Sequence, residues 1–100
     1  MDFSSYSTLA FERRDRVLTI ACNRPDSLNA VDAAMHRELA RVFDEATADP
    51  DSDVIVLTGR GRAFCAGGDL DWMQDAIDNP QNFDTATVEE AKQIVGGLLD

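Results

Sequence analysis

Basic residues are scarce in this chain. Nine Lys and Arg face nineteen Asp and Glu, for a net charge of −10. Phosphate backbones are met by a basic surface, so this balance argues against nucleic acid as a partner. The deficit is uneven. Residues 1–62 hold eight Arg against eleven acids, whereas residues 63–100 hold one Lys against eight. Any anionic ligand should therefore be met mainly by Arg24, Arg60 or Arg62. The rest of the charge reads as a solvated acidic surface that aids solubility.

Cysteine is nearly absent too. Cys22 and Cys65 form no CxxC pair, and His36 is the only His. Neither a zinc site nor a disulfide framework follows from that spacing, and two reduced, mostly buried thiols are expected in a cytoplasmic protein. No apolar run approaches membrane-spanning length, and the opening "MDFSSYSTLAFERRDR" lacks a basic start followed by an apolar core. The expectation is no signal peptide and no anchor.

What is present is an ordinary soluble composition, 44% hydrophobic and 28% charged over 100 residues. "STLAFER" and "RVLTIACN" read as two antiparallel strands joined by a charged turn. Neither face of the second strand is polar, so both should be covered. "NRPDS" breaks it through Pro25. From Asp32 to about Ala48, the residues Met35, Leu39, Val42, Phe43 and Ala46 make one apolar helical stripe, with Asn29 or Asp32 as cap. "VIVLT", Val54 to Thr58, suits a central strand buried on both faces. Strand, helix and strand make a βαβ unit with a right-handed crossover.

After "GRGR" and "AFCAGG" comes a short helix from about Asp69 to Ile77, then a polar loop around "DNPQNFD". A further helix follows, with Thr87 and Glu90 as a capping box and Val88, Ala91, Ile94, Val95 and Leu98 as its stripe. The fold class is α/β, a βαβ unit with two further helices. A sheet apolar on both faces needs more cover than these helices supply. The chain is therefore expected to be the first part of a larger unit.

Gly67 and Gly68 precede a helix start, where free N–H groups carry the positive end of the helix dipole. Bare backbone there suits a developing oxyanion. A tight turn needing positive φ is the other reading. Asp69 and Asp71 read as cap and charge match for that helix rather than an acid–base pair. "GRGR" lacks the endings of a P-loop or a dinucleotide fingerprint. It reads as a flexible turn or as a loop whose Arg60 or Arg62 meets a phosphate; Arg24 is the best phosphate candidate after the glycine loop, or equally an exposed turn residue before Pro25. Cys65 is expected to be a packed, inert thiol and His36 a solvated flank, which leaves a Cys-dependent hydrolase as a third possibility.

"NRPDSLNAV", then a helix, then "VIVLTGRGRAFCAGGDL" resembles the N-terminal part of the enoyl-CoA hydratase/isomerase (crotonase) family. The resemblance implies a crotonase-like fold, a spiral of ββα units, of which residues 1–100 would be the N-terminal portion. It implies an acyl-CoA substrate, with coenzyme A entering as part of the thioester and no separate cofactor. Gly68 would give the first of two backbone N–H groups that hold an enolate. Ala66, Gly67, Asp69 and Leu70 would line the same stretch, and Asp26, Leu28 and Ala30 would flank the CoA. The second donor and the catalytic carboxylates would lie beyond residue 100, so these 100 residues alone are expected to be inactive. Hydration of a 2-enoyl-CoA is the expected reaction. Double-bond isomerisation and a non-catalytic CoA-binding or assembly fragment are the alternatives. Trp72 and Met73 would shape the acyl pocket under a mobile lid over residues 75–87. "DL-x-WM" resembles the wording of hydratases for branched or glutaconyl-type acyl groups. A homotrimer or hexamer in the cytoplasm is the expected assembly.

Overall fold

The computed structural model describes residues 1–82 and 85–99, with the backbone alone given for 82, 85, 86, 88, 98 and 99. Two antiparallel strands, β1 (Leu9–Arg14) and β2 (Val17–Cys22), open the sheet. Helix α1 (Ala33–Thr47) then crosses to β3 (Val54–Gly59), which lies parallel to β2. The sheet order is β1-β2-β3. Helices α2 (Leu70–Asp78) and α3 (Thr85–Leu99) follow.

The helical period of the α1 sequence explains its packing. Met35, Leu39, Val42, Phe43 and Ala46 are all buried, and Asp32 caps the helix by accepting from Met35 N at 2.8 Å. That stripe meets Leu18, Ile20 and Cys22 on one face of β2. A buried carboxylate ties the start of β1 to the same helix. Glu38 accepts from the N–H groups of Ser7 and Thr8 and from the Ser7 hydroxyl. Charge-assisted bonds of this kind compensate for its burial.

Two strand expectations are met only in part. Among the described residues β3 pairs with β2 alone, and Val54, Ile55 and Val56 are exposed. The sheet face opposite α1 is likewise partly open, with Val17 on it exposed and Ala21 buried. Apolar periodicity reports what a strand is suited to bury, and no helix among the described residues covers that second face.

The C-terminal half differs in detail. Of the stretch 75–87 read as a lid, residues up to Asp78 close α2 and Pro80–Asn82 form a 3-10 turn, while α3 already starts at Thr85. Phe83 and Asp84 lie outside the described residues, as does Asp100. Thr87 is inside α3 rather than at its cap, and Glu90 bonds His36 instead. Ala91, Ile94 and Val95 face the space above α1; the side chains of Val88 and Leu98 lie outside the described set.

Gly59 sits where backbone crosses backbone. A Cβ added there would stand 2.5 Å from Phe64 O and 2.7 Å from Phe64 Cα. Neither atom can swing aside as a side-chain tip can. Gly59→Ala should therefore cost at least about 2 kcal/mol through overpacking, read as a lower denaturant midpoint at unchanged slope.

A second prediction concerns acid. Hydrogen bonds from Ser52 and Arg13 hold the Asp49 carboxyl at about 2, below its ordinary 3.8. Asp2, Asp53 and Asp69 are lowered in the same direction by their own hydrogen bonds. A depressed folded-state pKa gives stability that is present above the unfolded value and lost as pH falls through the folded one. The thermal midpoint should thus fall as pH drops from about 4 toward 2, and Asp49→Asn should flatten that slope.

Candidate active site

Residues 24–31 leave β2 through a 3-10 turn at Pro25–Ser27, then two left-handed residues, Leu28 at φ 52° and Asn29 at φ 57°. Asn is one of the few residues that takes this conformation cheaply. Asn29 is fully buried and works as a clamp. Its Oδ1 accepts from Arg24 N at 2.7 Å, and its Nδ2 donates to Arg60 O at 2.9 Å and Ala63 O at 2.8 Å. Sequence reasoning offered Asn29 only as a helix cap, a role that Asp32 takes. Its place just before Ala30, within "NRPDSLNAV", is the signal available.

This clamp brings the two distant motifs together. Ala66 N donates to Leu28 O at 3.1 Å, Val31 N to Gly67 O at 2.7 Å, and Asp69 N to Val31 O at 2.8 Å. Val31 and Gly68 therefore form a one-residue parallel bridge. In such a bridge one residue makes both bonds, here Val31, and the other directs its N–H and C=O to the opposite side. The Gly68 N–H has no acceptor among the described residues. It lies beside a cavity that Gly67 and Gly68 both line.

The choice between turn and anion site divides between the two glycines. Gly67 has φ +100°, so the turn conformation belongs to it. Gly68 is outside the left-handed region, and a Cβ there would stand 3.1 Å from Met73 Sδ. No turn requires Gly at that position.

Asp69 caps α2, with Oδ1 accepting from Asp71 N at 2.9 Å and Trp72 N at 3.2 Å. The Trp72 bond above all, with Arg24 alongside, holds its carboxyl below the usual range. Arg24 is the main correction among the cations. It is engaged inside the protein, 3.2 Å from Asp69 and 3.5 Å from Asp32, and it also donates to Ala30 O. Held by two carboxylates, it is a brace between the loops rather than a free phosphate ligand. Arg60 lines a separate cleft of about 200 Å³ with Thr19, Ala21 and Thr58, while Arg62 is exposed.

The cavity itself measures about 480 Å³ and runs between α1, α3 and the glycine loop, with Trp72, Phe43, Ile94 and Phe64 in its wall. Leu28, Ala66 and Asp69 adjoin the glycines through the bonds above, and Ala30 is tied to Asp69 through Arg24. Asp26 and Leu70 do not line this cavity; both are exposed, Leu70 at 80%. Trp72 lines the wall, and Met73 packs beneath Gly68.

His36 and Cys65 depart from expectation. His36 is no solvated flank: its side chain is 13% exposed, because α3 packs on α1 and covers it. Its Nδ1 is 2.8 Å from Glu90 Oε1, and its ring lies 5.2 Å from that of Trp72. Cys65 is exposed rather than packed, since the loop carrying it runs over the sheet end without cover. Cys22 is buried as expected, and both thiols line the cavity. Among the described residues there is no cluster of His, Cys, Asp and Glu fit to hold a metal ion. None of their helices is long and apolar enough to cross a membrane.

The pattern of the enoyl-CoA hydratase/isomerase family matches residues 12–96. The chain belongs to that family. A probable enoyl-CoA hydratase of Rhodobacter capsulatus is 36% identical over 94% of this chain, which covers 35% of that protein. The 3-hydroxyisobutyryl-CoA hydrolase 1 of Arabidopsis thaliana is 37% identical over 70% of the chain, covering 18% of its own length. The crystal structure of an enoyl-CoA hydratase/isomerase from Mycobacterium paratuberculosis superposes with a TM-score of 0.84 at 34% identity, over 92% of this chain and 37% of that one. The architecture is thus crotonase-like, and the chain spans roughly a third or less of the relatives it matches.

Proposed function

We propose that residues 1–100 are the N-terminal part of a crotonase-like domain that hydrates a 2-enoyl-CoA. The observation that carries this reading is the Gly68 N–H, which no described residue accepts, at the edge of an apolar cavity and just ahead of α2. As water adds across the double bond, hydroxide goes to C3 and a proton to C2, and negative charge builds on the thioester oxygen between. A fixed N–H aimed at that oxygen stabilises the charge more than it stabilises the neutral ester. Ala66, Gly67, Asp69 and Leu70 would lie along the thioester end, with Asp26, Leu28 and Ala30 along the CoA. The small side chains of Ala30 and Ala66 and the bare backbone of Gly67 leave room for a long, thin ligand.

Proton transfer needs a positioned acid or base, which this reading assigns to the longer domain along with the second N–H donor. No separate cofactor is required, since CoA arrives with the substrate. A cytoplasmic homotrimer or hexamer is the assembly we propose for that domain. The similarity to a 3-hydroxyisobutyryl-CoA hydrolase favours a second reading, thioester hydrolysis using the same oxyanion donor.

One assay separates them. The complete domain, given crotonyl-CoA, should remove the conjugated double-bond absorbance without releasing free thiol. Release of CoA thiol would favour the hydrolase, and isomerisation would create conjugation from a 3-enoyl-CoA. Turnover of none of these thioesters would sink the enzyme reading and leave a CoA-binding or assembly role.

A further inference from the structure

The cavity holds two thiols that the proposed chemistry does not use. Cys22 ends β2 and pairs in parallel register with Gly59. Residues paired in this way direct their side-chain positions to the same face of a sheet. On that face the backbone of Phe64 presses onto Gly59, with Phe64 Cα 2.7 Å from where a Cβ would be. Cys65 is the next residue, so the loop brings it to the end of the sheet that Cys22 and Gly59 form. Both line one cavity, Cys65 exposed and Cys22 buried. The Cys22 thiol is pushed up mainly by burial and further by Cys65, as a neighbour close enough to feel its charge would be.

We propose that Cys65 and Cys22 are a peroxide-sensitive thiol pair that closes to an intramolecular disulfide in the cavity wall. The exposed Cys65, as thiolate, attacks hydrogen peroxide; the O–O bond breaks, one oxygen stays as a sulfenic acid, and the other leaves as water after taking up a proton. The Cys22 sulfur then attacks that sulfenic sulfur, displacing its oxygen as a second water. Two thiols and one peroxide give one disulfide and two waters, with the thiols oxidised by two electrons and the peroxide reduced. An exposed attacking thiol beside a buried resolving one is the arrangement this sequence needs. The bond would fix the loop carrying Gly67 and Gly68 to β2 and narrow the cavity beside them.

The test does not depend on catalysis. The chain is treated with hydrogen peroxide, quenched with catalase, denatured and alkylated with iodoacetamide, and its intact mass is measured. The expected result is a monomer lighter by about 2 Da that takes no alkyl group, a tryptic map joining Cys22 to Cys65, and full alkylation after dithiothreitol. Cys22→Ser should divert Cys65 to sulfinic acid, and Cys65→Ala should leave Cys22 alkylatable. Sulfinic acid on Cys65 beside an alkylatable Cys22 in the unsubstituted chain would overturn the proposal. So would a disulfide between two chains, or no oxidation under conditions that oxidise free cysteine.

Discussion

Gly68→Pro is expected to lower kcat/KM of the complete domain for a 2-enoyl-CoA by about 100- to 1,000-fold, the usual loss for one oxyanion donor. Proline removes the one group of this residue that the proposed chemistry uses, its N–H. Among the described residues that N–H carries no structural bond, so removing it costs the fold no hydrogen bond. Gly68→Ala is the control. Its Cβ would meet only the flexible Met73 side chain, Sδ at 3.1 Å and Cγ at 3.5 Å, and the N–H remains. Less than about a tenfold loss is expected for Ala. Equal losses in the two variants, with unchanged circular dichroism, would mean that space at Gly68, and not its N–H, is what matters.

Asn29→Ala should cost about 3–4 kcal/mol of folding stability. Three backbone groups, Arg24 N, Arg60 O and Ala63 O, lose their partner in a fully buried place. Alanine must also hold φ 57°, which it does at a penalty of about 1 kcal/mol. Asn29→Gly loses the same bonds without that strain and should recover about that 1 kcal/mol. Denaturant unfolding of the three proteins checks both figures. A loss below about 1 kcal/mol for Ala would show that water replaces the clamp and that the loops hold each other without it.

Both predictions rest on parts of the molecule that differ in how well the sequence announced them. The α1 stripe was readable in full, because a three- and four-residue period is local and its burial needs only one facing sheet. The antiparallel pair, the βαβ unit and the Asp69 cap were readable for similar reasons. So was the glycine stretch as a place to look, though not the division of labour between Gly67 and Gly68.

Long-range placement was not legible. His36 follows Met35 in a helix whose stripe excludes it, and only the position of α3 puts Glu90 and Trp72 around it. Cys65 sits in an apolar word, "AFCAG", that suggests packing, yet its loop runs uncovered. Arg24 beside Pro25 looked free because its partners, Asp32 and Asp69, come from two other segments. β3 carries the composition of a central strand, yet among the described residues only β2 lies beside it, since composition cannot say which segment supplies a second neighbour. Asn29 is the sharpest case: its bonds join a loop to carbonyls that local pattern does not relate to it.

A crystal structure of the complete domain with a bound, unreactive acyl-CoA thioester would show whether the Gly68 N–H receives the thioester oxygen. The oxygen should lie about 2.7–3.1 Å from Gly68 N, with the acyl group in the cavity between Trp72 and Phe43. A thioester bound elsewhere, or one whose oxygen faces away from Gly68, would remove Gly68 from the chemistry.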